Sequence, residues 1–307
     1  MLDDNAQDLI SICTRIIYSL KDPRKVKTHL KKLISPLLCT TDRNLKLISF
    51  VFSSIGNIKA SISNPLLVIF DKLFPILIKA VDNCQSIGII ESVGIIMKNS
   101  MRCIPDHVLS YLSTFISCIK KNFENTGISN YLYYAEFTVS VYGSSEESSQ
   151  LLLPMIDYLG KITSNLIQSH NSTNEQLISD FLGLCLRCIE YSPKLFFDSQ
   201  ILTSTLELAI SVIDTKHSEC KTTLCLFLYH LFNYLKNKEP LNDIKEIEVW
   251  NFLISKAQEI IKRLFINLVE GQHKAEYLID LIIKMYLVLP VNCVCYFLDA
   301  VKAVLLL

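Results

Sequence analysis

Leu73-Phe74-Pro75-Ile76-Leu77-Ile78 sets a proline inside an unbroken apolar run, and the chain uses the same device twice more, in Leu33-Ile34-Ser35-Pro36-Leu37-Leu38 and Leu152-Leu153-Pro154-Met155-Ile156. Pro36 and Pro75 lie 39 residues apart and Pro75 and Pro154 lie 79 apart, so the longer interval is two periods with one proline missing. A proline in a helix interior removes a hydrogen bond and costs about 3 kcal/mol. One that returns at constant phase therefore belongs to a repeated unit. A period of roughly 40 to 47 residues is that of stacked helical hairpins of the HEAT and armadillo kind. A second series, Pro105, Pro193 and Pro290, closes apolar runs 88 and 97 residues apart, each interval fitting two repeats.

Composition selects the same class. The 307 residues are 50% hydrophobic and 20% charged, with 8 Gly and 9 Pro, which gives ample core and too few chain breakers for an all-β protein. The expected fold is all-α, a right-handed superhelical HEAT-repeat (ARM-like) solenoid. Such an array is quasi-one-dimensional and extends as far as its repeats do. Residues 1–307 thus read as a single solenoid of about six complete hairpins with flanking helices.

Apolar periodicity predicts helices near 5–20, 24–39, 42–62, 65–81, 86–103, 106–123, 128–142, 149–168, 174–191, 199–213, 218–235, 247–268, 273–289 and 292–306. In the helix over 174–191, Leu177, Ile178, Phe181, Leu182, Cys185, Cys188 and Ile189 form a wide apolar stripe, with Gln176, Asp180, Gly183, Arg187 and Glu190 opposite. One hairpin cannot bury such a stripe, whereas a stack can. If the proline-bearing helices come first in each pair, the second helices are those over 42–62, 86–103, 128–142, 174–191, 218–235 and 273–289. In a HEAT superhelix these line the concave side, where a partner would dock.

The sequence offers little chemistry of its own. Cys185, Cys188, His217 and Cys220 can be written as a zinc pattern, but Cys185 and Cys188 fall on the apolar stripe and no glycine-rich knuckle surrounds them. Asp3-Asp4, Glu146-Glu147 and Glu246/Glu248 stand at predicted helix starts, where carboxylates favour the macrodipole. No nucleophile elbow, phosphate-binding glycine loop or HExxH helix occurs, so neither an enzyme nor a cofactor is expected. The formal net charge is zero, which argues against direct nucleic-acid binding; the basic run Lys21, Arg24, Lys25, Lys27, Lys31 and Lys32 reads as a solvated helix face. The eleven cysteines sit in apolar runs and behave as small hydrophobes, pointing to free thiols in a reducing compartment. Asn171-Ser172-Thr173 is a glycosylation sequon in a predicted loop, expected to stay unmodified there. The first residues lack a signal peptide's basic and apolar regions. The longest apolar stretches, 277–290 and 291–307, carry Asp280, Lys284, Asp299 and Lys302 and fall short of the ~20 residues a membrane span needs.

Several segments, in order, resemble the transportin-3, transportin-SR and importin-13 branch of the importin-β (karyopherin-β) nuclear transport receptors. Phe70 to Leu77, with Phe74-Pro75, is similar to the family's Ile-Trp-Pro-Val-Leu helix. Tyr131-Leu132-Tyr133-Tyr134 running to Val141-Tyr142-Gly143 resembles its Phe-Leu-Tyr helix ending in Tyr-Gly. Phe181-Leu182 through Ile189-Glu190-Tyr191-Ser192-Pro193, then Ser199-Gln200-Ile201, resembles a helix ending in Ser-Pro and another beginning Ser-Gln; Ala209-Ile210 and the helix from Cys220 to Leu231 continue it. The resemblance implies the C-terminal, cargo-binding segment of a longer receptor. It implies protein cargo, nuclear import of SR-type or RNA-binding proteins, the GTPase Ran as a partner of N-terminal repeats absent from this chain, nucleoporins as further partners, and shuttling between cytoplasm and nucleus. In the family a row of arginines on the helix similar to 91–103 holds phosphorylated Arg-Ser domains. Here those positions read Ser92, Ile95, Lys98 and Arg102, leaving Lys98 and Arg102, i and i+4 on one face, as the cargo-binding candidates. A HEAT scaffold or adaptor without a transport role and an exportin-like receptor are the competing readings.

Overall fold

A computed structural model describes residues 65–82, 84–169, 174–238, 240–270 and 275–305. The first Pro-bearing repeat with Pro36, the helices expected before residue 63, the basic run over 21–32 and the sequon all lie outside the described residues. Among the described residues there are thirteen α-helices, one 3-10 turn and no strand. Contacts gather the chain into two compact units, Met1–Asn130 and Tyr131–Leu307.

The described part of the first unit contains α1 (Pro65–Val81), α2 (Ile87–Cys103), α3 (Pro105–Leu109) and α4 (Leu112–Thr126), with α5 beginning at its boundary. Pro75 lies inside α1, as expected. The helix predicted over 106–123 is instead two pieces. Pro105 occupies the first turn of α3, where its missing N–H costs nothing, and the chain turns again at Ser110-Tyr111. Asp71 on α1 holds that turn: its Oδ1 accepts the Tyr111 hydroxyl at 2.7 Å and lies 2.5 Å from His107 Nε2. The Tyr111 hydrogen bond draws the Asp71 carboxyl below its ordinary pKa, outweighing the opposing desolvation, and His107 adds to the lowering. Beneath this polar clip, the Tyr111 ring packs on Phe74 and Phe70 at centroid distances of 4.7 and 5.4 Å. Lys121 on α4 meets Asp82 at 2.7 Å. Gly127 ends α4 in the left-handed region, φ 66°, with its N–H bonded to Phe123 O at 2.8 Å, a conformation that a Cβ would strain.

The second unit continues with α5 (Asn130–Tyr142), α6 (Glu146–Ser169), α7 (Glu175–Tyr191), α8 (Pro193–Asp198), α9 (Leu202–Ser211), α10 (Ser218–Asn237), α11 (Ile244–Val269), α12 (Ala275–Val288), a 3-10 turn at Val291–Cys293 and α13 (Val294–Leu305). Second helices stack on second helices, α7 on α10 and α10 on α12, while α6 meets α8, α8 meets α11 and α11 meets α13. Helix α7 follows its sequence pattern: all seven residues of the predicted apolar stripe are buried, each contributing roughly 1.5 to 3 kcal/mol for the larger aliphatic and aromatic side chains. Asn174 caps it, its Oδ1 accepting Leu177 N–H at 3.1 Å. Pro105, Pro193 and Pro290 follow the ends of α2, α7 and α12 and so close those runs as expected, and each also begins the next turn of chain. Pro105 and Pro193 open short helices, and Pro290 caps the 3-10 turn. Consequently the helix predicted over 199–213 begins only at Leu202, after the extra turn of α8. Asp157 Oδ1 accepts Gln200 N–H at 2.8 Å and stabilises that intervening bend.

Several polar groups inside the second unit are paired across helices. Arg263 of α11 donates to Ile210 O at 2.6 Å and Ser211 O at 3.2 Å, adding a partner to carbonyls in the last turn of α9. Nearby, the buried Lys221 ammonium donates to Asn267 Oδ1 at 3.2 Å. Desolvation pulls its pKa below the usual lysine value.

Candidate functional site

The second helices of the second unit carry a row of polar side chains along their partly open edges. On α5 this is Glu136; on α7, Asp180, Arg187 and Glu190; on α10, Tyr229, His230 and Asn233; on α12, Lys284. Each is flanked on its own helix by buried apolar residues, so the helical period that fills the core also sets this row on the opposite side.

Neighbouring helices are linked along the row. Arg187 Nη1 donates to Glu190 Oε2 at 2.6 Å, and its Nε lies 3.9 Å from Glu136 Oε2 on the preceding second helix. Glu190 Oε1 is in turn 3.6 Å from His230 Nε2 on the following one. Lys284 donates to Asn233 Oδ1, and its Nζ sits 5.4 Å from the Tyr229 ring centroid. On α7 itself Gln176 Nε2 donates to Asp180 Oδ1 at 2.9 Å. The predicted polar stripe of this helix is thus real and is extended by its neighbours. Gly183 explains the close approach of α5: a Cβ there would stand 2.6 Å from Glu136 Oε1. Carboxylates dominate α5 and α7, with Arg187 as their internal counter-charge, and the cation Lys284 closes the far end.

Lys98 and Arg102 both lie on α2 of the first unit. Arg102 is exposed and Lys98 half-buried, and they share a stripe with the exposed Glu91 and Ile95. Ser92 is buried, so of the four positions matched to the family's arginine row, one turns into the core. Cys185 and Cys188, the first half of the zinc-like pattern, are buried in α7. Burial pushes the Cys185 thiol up to about 12 and holds the Cys188 thiol well above the ordinary thiol range. His217 accepts the Cys220 N–H at 3.3 Å and so caps α10. Among the described residues no group of three or more His, Cys, Asp or Glu is placed to hold a metal, and no helix is long and apolar enough to cross a membrane. Spacing within the sequence could not have found the Glu136–Arg187–Glu190–His230 chain, because its members come from three helices; the glycine in the polar stripe of α7 was its one local trace.

Residues 64–167 match the family model described as the Transportin-3/Importin-13 fourth TPR domain. Over those residues the chain is similar to the transportin-3/importin-13 karyopherins. An uncharacterized protein of Schizosaccharomyces pombe, C11G11.07, is 23% identical over 188 residues, covering 60% of this chain and 20% of its own length. Among solved structures, a chain described as Importin13 in its cytosolic state matches with a TM-score of 0.68 at 15% identity over 97% of this chain and 32% of that one. At that identity the likeness concerns the fold, which is the HEAT-repeat solenoid of the importins. The karyopherin-like segment therefore spans a fifth of the yeast relative and about a third of the Importin13 chain.

Proposed function

We propose that the chain is the cargo-binding part of a nuclear import receptor, and that protein cargo docks on the polar row of its second helices. The observation that carries this reading is the linked row Glu136–Arg187–Glu190–His230, set on a karyopherin-like scaffold. Its function is recognition, with no catalytic step and no cofactor. Partly open carboxylates on α5 and α7 suit a basic segment, such as an Arg-rich or Arg-Ser stretch of an RNA-binding protein. Lys98 and Arg102 on α2 form a separate contact of opposite sign, suited to a phosphorylated Arg-Ser segment, since phosphoserine carries about −1.5 to −2 charges. Lysine lacks arginine's bidentate fork, so this second contact is the weaker of the two. Ran would engage repeats of a longer receptor and couple cargo release to its nucleotide state; nucleoporin contact and shuttling between cytoplasm and nucleus complete the cycle.

Titration of a fluorescent Arg-Ser repeat peptide, with and without phosphoserine, into three proteins tests the reading. The Glu136→Lys/Glu190→Lys variant is expected to lose the unphosphorylated peptide, and Lys98→Glu/Arg102→Glu the phosphorylated one, with both affinities falling as salt is raised. Equal binding by wild type and both variants would remove these residues from cargo recognition. In the longer receptor, release of the peptide by Ran-GTP is expected; indifference to Ran would favour a scaffold.

A further inference from the structure

On α7 the Arg187 Nη1 donates to Glu190 Oε2 at 2.6 Å, and its Nε reaches toward Glu136 Oε2 on α5 at 3.9 Å. One guanidinium thus spans carboxylates of two helices, a task suited to its planar fork and not to a point-like ammonium. The three side chains are unequally open. Arg187 is 39% exposed, against 16% for Glu136 and 22% for Glu190, so the cation is the most open member and covers the two acids. It does not saturate them: the second oxygen of Glu190, Oε1, faces His230 Nε2 at 3.6 Å, beyond hydrogen-bond length. The acids are placed by the packing of their own helices. Gly183 leaves the room in which Glu136 lies, since a Cβ there would stand 2.6 Å from its Oε1, and the buried stripe of α7 fixes the helix that carries Glu190. An ion pair this open is weakly held.

We infer that Arg187 occupies, in the unbound protein, the seat of a cargo arginine, and that a basic segment docks by exchanging its own guanidinium for this one. This rests on the row being the docking surface, and adds how cargo enters and which cation it must bring. Charge makes the exchange necessary. While Arg187 lies over the acids it repels an approaching cation; once it swings outward, Glu136 and Glu190 offer acceptors to one incoming fork. Arginine is selected over lysine because only the fork reaches both acids. Lys284 repeats the device on α12, where its ammonium donates to Asn233 Oδ1 and lies 5.4 Å from the Tyr229 ring centroid, an internal cation held on acceptors of the preceding second helix.

Titration of an unphosphorylated Arg-Ser repeat peptide and its Lys-Ser counterpart into the 307-residue chain, at low and high salt, tests it. Arg187→Ala is expected to bind the Arg-Ser peptide about tenfold tighter than wild type. Its affinity should also fall more steeply with salt, because the peptide then neutralises acids that in wild type are already paired. The gain should be smaller for the Lys-Ser peptide. Arg187→Gln, which removes the charge and keeps a polar chain, should gain likewise should the alanine variant lose helix content, and Arg187→Lys should fall back toward wild type. Equal or weaker binding of the Arg-Ser peptide by both neutral variants overturns the inference and leaves Arg187 a residue that only holds the acids in place. A gain that persists in Arg187→Ala/Glu136→Gln/Glu190→Gln overturns it too, since the acids would then not be the seat. Failure of the docking reading has a different signature: Glu136→Lys/Glu190→Lys would bind as wild type does, removing the row from docking and this exchange with it.

Discussion

Glu246 is a carboxylate that α11 carries into the interior in its first turn, where the helix dipole favours it. Burial makes the dipole insufficient. Its Oε1 accepts the Tyr234 hydroxyl at 2.8 Å and the Lys238 ammonium, while Oε2 has no hydrogen-bond partner. Hydrogen bonds to Glu246 and Tyr234 raise the Lys238 pKa against a small desolvation effect. Because the folded value is the higher one, this stabilisation is complete below the ordinary lysine pKa of 10.5 and is lost as pH rises through the folded value. Removing one partner of a fully buried pair costs about 3 to 5 kcal/mol, but Lys238 is half exposed and solvent screens its share. Lys238→Met is therefore expected to destabilise by about 1 to 2 kcal/mol, and adding Glu246→Gln should cost less than the sum of the two. Urea unfolding of the four proteins in the cycle checks this; additive losses would mean the two groups do not interact. The sequence marked Glu246 as a helix-start acid and no more, because its lysine lies across a turn, beyond the reach of any within-helix spacing rule.

Two glycines show how closely neighbouring elements approach and how different that approach can be. A Cβ at Gly160 on α6 would fall 2.6 Å from Ile201 Cγ2 and 2.7 Å from its Cδ1, and Ile201 is buried with little room to retreat. At Gly183 on α7 the obstacle is the far end of the Glu136 side chain, which can swing into water. Alanine gains roughly 1 kcal/mol of helix propensity over glycine at either site. Overpacking a core costs about 1 to 3 kcal/mol, so Gly160→Ala should be destabilising on balance, by about 1 kcal/mol, and Gly183→Ala neutral or slightly stabilising. Gly183→Ala should nonetheless displace Glu136 from Arg187 and weaken a basic peptide on the row. Thermal melts and the peptide titration separate the two effects; equal melting temperatures for the two variants would contradict the packing argument. The α7 stripe was legible residue by residue because its pattern is local. The Gly160–Ile201 approach was not, since it depends on the bend at 199–201 that Asp157 stabilises from another helix, and a periodicity argument runs straight through that bend.

Across the molecule, cysteine does the work of a small apolar side chain. None of the nine cysteines among the described residues is in a disulfide, and Cys118, Cys185, Cys188, Cys220, Cys225 and Cys293 are buried. The all-helical class and the free, packed thiols were both legible at this scale, because composition and the long period survive averaging over local detail; the openings at Pro105 and Pro193 did not survive it. Burial holds the Cys185 and Cys225 thiols up to about 12 and those of Cys118 and Cys220 up to about 11, from an ordinary 9.0. Below about pH 8 these thiols are neutral in folded and unfolded chains alike and contribute no pH dependence. Above about 9 the unfolded chain ionises while the folded one keeps its protons, so stability falls by about 1.4 kcal/mol per pH unit for each thiol until the folded groups titrate. The melting temperature is expected to be flat between pH 6 and 8 and to drop steeply above 9, under reducing conditions that prevent disulfides. Cys185→Ala/Cys225→Ala should melt lower than wild type at pH 7, because side-chain volume is lost from the core, yet lose less with each further pH unit. Apart from Lys221, which lies close enough to Cys225 to feel its charge, lysines and tyrosines titrate in the same range in both proteins, so the difference between the two slopes reports the two thiols together with that lysine. Identical alkaline slopes would mean that Cys185 and Cys225 are not held protonated in the core.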